Sequence, residues 1–203
     1  YGDKTNLRAT WAREYHQRDC LRRVLPRIGA GDCVVMTDGD EIPRATSVQK
    51  YDVTQGVVKL DMRFYHFWLN YKANNGWDLA HIIPGSVYNA FLPSELRLVD
   101  VRYMPEVPFN VDNIYTDSGW HFAYLGGEEL VKYKLRSYSH WNLQHTLPTL
   151  TALQRGQKVD MAQLGVQSDG NRYVFAKVPV DAGHPQCIEH NVDFFREKGL
   201  ILE

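Results

Sequence analysis

Cys33-Val34-Val35-Met36-Thr37-Asp38-Gly39-Asp40-Glu41-Ile42-Pro43 decides the fold. Four apolar residues without polar alternation predict a short strand with both faces covered, and such strands belong to open α/β sheets. In those sheets ligands bind beyond the carboxyl ends of the strands, and this run ends there in three carboxylates. Asp38 and Asp40, one residue apart, can reach a hard divalent cation together. Mg²⁺ and Mn²⁺ take oxygen ligands and keep positions open for substrate phosphates. Gly39 lets the backbone turn and approach a ligand. The competing reading is an acidic turn after a strand, since Asp and Gly favour turns anyway.

Upstream, residues 10–28 predict a helix with Thr10 as N-cap, closed by Pro26, Gly29 and Gly31. Its Arg13, Glu14, Gln17, Arg18 and Asp19 read as i,i+4 surface pairs. Downstream, 57–69, 96–103 and 120–125 read as extended, with loops between them around Gly76, Pro84, Gly85 and Pro93. Helices are expected over 128–137, over 143–154 despite Pro148, and over 189–198. Turns are expected at Asp169-Gly170 and Gly183-His184-Pro185.

Two further clusters carry chemistry. Asp117-Ser118-Gly119-Trp120-His121 offers a carboxylate, an aromatic ring able to stack on a sugar or base, and an imidazole. A strand start with a core Trp and a satisfied His is the alternative. Lys132 to His140, including Lys134 and Arg136, could hold phosphates or be a solvated helix end.

The chain has 203 residues, 44% of them hydrophobic, and 23 Lys plus Arg against 24 Asp plus Glu, net −1. This is a globular composition without a basic footprint for nucleic acid. No run of about 18 apolar residues could span a membrane. Cys20, Cys33 and Cys187 have no CxxC spacing and are expected as reduced, mostly buried thiols. No Asn-X-Ser/Thr sequon occurs. Zinc-protease, nucleophile-elbow and P-loop signatures are absent. An aspartyl-phosphate hydrolase would want Thr or Val where Ile42 stands.

In order, Trp11-x-Arg13-Glu14-x-x-Gln17-Arg18-Asp19, Asp38-Gly39-Asp40-Glu41-Ile42-Pro43, Gly119-Trp120-His121 and Lys134-Leu135-x-Ser137 with His140 resemble glycosyltransferase family 17. This family includes the β-1,4-mannosyl-glycoprotein β-1,4-N-acetylglucosaminyltransferase. The resemblance implies a GT-A-like (Rossmann-like) α/β fold with a mixed sheet flanked by helices. It implies one domain over 1–203 that lacks part of the N-terminal nucleotide-binding half. It implies an inverting transferase moving GlcNAc from UDP-GlcNAc to a glycan acceptor with Mn²⁺ or Mg²⁺. A non-catalytic carbohydrate- or nucleotide-sugar-binding protein of the same fold is the alternative. Asp38 and Asp40 inherit the metal role. Asp38, Gly39, Asp40, Trp120, Lys134 and His140 become candidates for donor and cofactor binding. Asp117, Glu41 and His121 are the candidate bases, and the choice among them stays open. The expected setting is the cytoplasm of a microbe or virus, or the Golgi lumen if the protein is eukaryotic with an anchor outside this chain.

Overall fold

The structure, a computed structural model, describes residues 7–97, 113–137, 146–157, 167–168 and 171–203. The elements in chain order are α1 (Leu7–Asp19), α2 (Leu21–Val24), β1 (Cys33–Met36), β2 (Glu41–Pro43), α3 (Ala45–Gln49), β3 (Val58–His66) and β4 (Tyr71–Pro84). They continue with α4 (Gly85–Ala90), α5 (Pro93–Arg97), β5 (Asn113–Tyr115), β6 (Gly119–Ala123), α6 (Gly127–Ser137) and α7 (Thr146–Gln154). The last are β7 (Gln167–Ser168), β8 (Asn171–Arg172), β9 (Phe175–Lys177), α8 (Gln186–Glu189) and α9 (Val192–Glu197). The chain divides into two compact units, residues 1–62 with 77–119, and 63–76 with 120–203. The long strands β3 and β4 contribute to both. None of the described helices is long and apolar enough to cross a membrane.

In the first unit β1 runs antiparallel to the end of β4, with Met36 opposite His81 and Cys33 opposite Pro84. Strand β5 lies parallel to the start of β3. Alternation of side chains along a strand assigns the two faces. Met36 and Ile83 join Val57, Tyr88 and Leu96, with Val34 against them, so α4 and α5 cover one face. Leu60, Met62, Ala80 and Ile82 form the other, with Val35, Val48 and Tyr51. Both faces of β1 therefore meet apolar partners, as its unbroken run predicts. Strand β1 is antiparallel to β4 while β5 is parallel to β3, so the sheet is mixed, as expected. Val34 and Val35 are buried only in part.

The predicted 10–28 helix is two helices. Helix α1 begins at Leu7, which puts Thr10 inside it, and α2 stops before Pro26. Side-chain clamps then fix the two helices. The carboxylate of Asp19 accepts the Ser94 N–H at 2.9 Å in the first turn of α5, which suits the positive end of a helix. Arg22 donates to the carbonyls of Tyr88 and Phe91, and the Tyr88 hydroxyl donates to Leu25 O at 2.9 Å.

In the second unit β6 lies parallel to the end of β3, and β9 antiparallel to the start of β4. Tyr65, Leu69, Trp120, Phe122 and Ile188 form one buried cluster. Phe64, His66, His121, Tyr173 and Phe175 make a second, all aromatic; His121 stacks on Phe64 with centroids 4.9 Å apart. Strand β4 runs through the region expected as loop. Residues 96–97 are helical rather than extended, and 98–103 and the Asp169-Gly170 turn lie outside the described residues. The thiol expectation is also corrected: all three cysteines are unpaired, but Cys33 and Cys187 are exposed.

Candidate active site

The acidic stretch folds as a tight turn at the end of β1, closed by the Glu41 N–H donating to Asp38 O at 3.0 Å. Glu41 points inward and its side chain is 1% exposed. Oε1 accepts from Trp77 Nε1 at 2.6 Å and from an Arg97 nitrogen at 2.6 Å; Oε2 accepts from the other Arg97 nitrogen at 3.0 Å and from the Asp38 N–H at 2.8 Å. This is the pairing a buried carboxylate needs. Arg97, from α5, is 4% exposed and also donates to Leu79 O. Burial alone would lower its proton affinity, but Glu41 and then Asp38 outweigh burial and raise it.

Asp38 faces outward at 42% exposure. Arg97 meets its Oδ2 at 2.8 Å. Arg18 Nη2 lies 3.1 Å from Oδ1 and 3.3 Å from Oδ2, while its other nitrogen holds Glu14. Asp40 is half-buried on the same turn. A Cβ placed on Gly39 would meet nothing within 4 Å, and its backbone is not left-handed. The turn itself therefore does not require glycine, and the space beside it is open on the protein side.

The Asp117–Ser118 turn leads into β6. Asp117 is in the left-handed region at φ 49°, an uncommon conformation for a residue with a side chain. Arg44 holds it there by donating to its carbonyl at 2.8 Å and to its carboxylate at 3.1 Å. The carboxylate is 52% exposed. Ser118 donates through both its N–H and its hydroxyl to Asp61 O, each at 2.9 Å. The Asp61 carboxyl, on β3, is held above its ordinary range by burial first and then by the charges of Asp78 and Asp117.

The remaining candidates belong to the second unit. Trp120 is buried and its indole N–H donates to Gly183 O at 2.8 Å, a carbonyl that Arg63 also bonds at 2.7 Å. The turn at Gly183 is pinned further by its own N–H donating to Asp181 at 2.8 Å. His121 is buried on β6. Lys134 of α6 places its ammonium 4.9 Å from the Tyr124 ring centre, and Lys132 pairs with Glu128 and Glu129 of the same helix. His140 lies outside the described residues.

The structure thus brings Asp38, Gly39, Asp40, Glu41 and Asp117 into the first unit, and Trp120, His121 and Lys134 into the second. Sequence reasoning missed Arg97, Trp77, Arg44 and Asp61; the expected i,i+4 pair of Glu14 and Arg18 forms, but its link to Asp38 was not foreseen. Arg97 lies 56 positions from Glu41, and no local pattern joins them. The doubled charge of Arg13-Glu14 and Arg18-Asp19 was the available signal for Arg18. Among the described residues no group of three or more His, Cys, Asp or Glu could enclose a metal ion.

Compared with known proteins, the chain finds no match among curated proteins and none among solved structures. The sequence model of glycosyltransferase family 17 matches residues 2–160. That span holds the α1 charge block, the turn after β1 and the Asp117 turn, and on it the chain belongs to glycosyltransferase family 17.

Proposed function

We propose that this transferase moves GlcNAc from UDP-GlcNAc to a glycan acceptor, with inversion, supported by Mn²⁺ or Mg²⁺. The observation that carries the reading is the division of labour within the turn after β1. Glu41 is committed inward to Arg97 and Trp77, while Asp38 is 42% exposed, Asp40 is half-buried on the same turn, and the space beside Gly39 is open. Two carboxylates without a third protein ligand suit an ion that completes its shell with phosphate oxygens, rather than a closed structural site. Asp38 and Asp40 would hold that ion. When bound, it supplies charge neutralisation for the departing diphosphate. Arg18, on Asp38 and partly in solvent, adds a guanidinium group of the kind that binds phosphate bidentately.

Inversion needs one base. Glu41 cannot take a proton without giving up bonds from Arg97, Trp77 or its own turn. His121 is buried against Phe64. Asp117 is half-exposed, held in place by Arg44, and lies in the same unit as Asp38. We assign it the base role. Its carboxylate accepts the acceptor hydroxyl proton as that oxygen bonds to the anomeric carbon. The bond from that carbon to the diphosphate breaks on the opposite face.

The test is UDP release from UDP-GlcNAc with a glycan acceptor, in Mn²⁺ and after chelation, with the product's anomeric configuration read by NMR. Release that needs both Mn²⁺ and acceptor, giving a β-linkage, is expected. Glycan binding by calorimetry without any binding of UDP-GlcNAc and Mn²⁺ would instead mark a carbohydrate-binding protein.

A further inference from the structure

Arg18 occupies an informative position on Asp38. One guanidinium nitrogen lies almost equally far from both carboxylate oxygens, 3.1 and 3.3 Å. That is the bisecting position a chelating cation takes on a carboxylate, and the two cannot share it. An ion held by one oxygen alone would still sit beside the guanidinium charge. Arg97 differs: it is buried, and its bonds to Glu41, Asp38 and Leu79 fix it. Arg18 lies on α1, has part of its side chain in solvent, and keeps Glu14 as a second anionic partner one turn away. It can leave Asp38 without becoming an isolated buried charge.

We propose that Arg18 is a cation surrogate on Asp38. It holds the carboxylate while no divalent ion is there and yields to the ion when a nucleoside diphosphate arrives, then pairs with the diphosphate. The inference rests on the metal role proposed above for Asp38. Arg18 and Arg97 already occupy the oxygens of this carboxylate, so a divalent ion alone has to displace a guanidinium that gains no partner in exchange. A diphosphate takes up the displaced guanidinium, whose planar fork suits phosphate. Ion and diphosphate therefore bind with positive coupling, and by linkage each tightens the other equally.

The experiment measures Mn²⁺ binding from the spin-resonance signal of free Mn²⁺, with and without UDP, on the full chain and on Arg18→Gln and Arg18→Lys. Wild type is expected to bind Mn²⁺ weakly alone and about tenfold or more tightly with UDP. Arg18→Gln should bind Mn²⁺ alone at least about tenfold tighter than wild type, and UDP should then add less than about threefold. Arg18→Lys keeps the charge but not the fork. It should bind Mn²⁺ alone within about threefold of wild type and lose at least about threefold of the UDP coupling. Circular dichroism checks that each variant folds, and Arg18→Lys decides the matter if Arg18→Gln does not. Unchanged Mn²⁺ affinity in Arg18→Gln, or undiminished coupling in a folded Arg18→Lys, overturns the proposal. If wild type binds no Mn²⁺ even with saturating UDP, the metal reading itself fails and this proposal falls with it.

Discussion

Replacing Arg97 by Met tests the pairing that holds the acidic turn. The guanidinium is 4% exposed and bonds both oxygens of Glu41, which is 1% exposed. Met removes the charge at similar length and leaves Glu41 with two donors, Trp77 Nε1 and the Asp38 N–H, but without a counter-charge. Asp38 keeps Arg18 and solvent, so the loss concentrates on Glu41. Deleting one partner of a buried pair costs about 3–5 kcal/mol, a large share of a stability of about 5–15 kcal/mol. With a slope near 2 kcal/mol per M, the urea midpoint should fall by about 2 M. Adding Glu41→Gln removes the uncompensated charge, so the double variant should regain at least about 2 kcal/mol of the loss. Urea unfolding followed by far-UV circular dichroism reads both values. An Arg97→Met protein within about 1 kcal/mol of wild type, or a double variant showing only the sum of the single losses, would exclude a buried Arg97–Glu41 pair that holds the turn.

Gly39→Ala should leave stability within about 0.5 kcal/mol of wild type, because the added methyl meets no protein atom; a drop in UDP-GlcNAc affinity by calorimetry then reports a ligand approaching that backbone, and unchanged affinity removes Gly39 from the site. Gly119→Ala should instead lose about 1–3 kcal/mol, since its methyl would lie 2.3 Å from Ile42 O; an unchanged thermal melt contradicts that packing. Asp61→Asn has a pH signature. The folded carboxyl titrates above its ordinary 3.8, so its stabilising share is complete below that value and lost as pH rises through the folded pKa. The variant should match wild type in acid and become relatively more stable towards neutral pH; a constant offset across the range would exclude that origin.

Much of the turn after β1 was legible because its signal is local. Cys33 to Met36 is an unbroken apolar run, and the carboxylates follow it directly. The same locality explains the misreadings. A loop was expected around Gly76, yet β4 passes straight through it. The chain changes compact unit there, after Gly76, and pairing partners override the residue preferences. Pro93 and Glu95 begin a helix that takes in residues 96 and 97, the start of the stretch read as extended. Glu41 looked like a free acid beside a metal motif because Arg97 and Trp77, which bury it, are distant in sequence. For Trp120 two readings stood, a ring for sugar stacking and a core Trp at a strand start; its indole N–H bonded to Gly183 O within a buried cluster fits the second.

If Asp38 and Asp40 support sugar transfer from a nucleoside diphosphate donor, turnover of UDP-GlcNAc in Mn²⁺ must differ between wild type and a folded Asp40→Ala variant. The variant is expected to lose at least about a hundredfold in rate, the scale of removing one electrostatic support from a reacting site. Equal turnover in the two proteins would contradict that role.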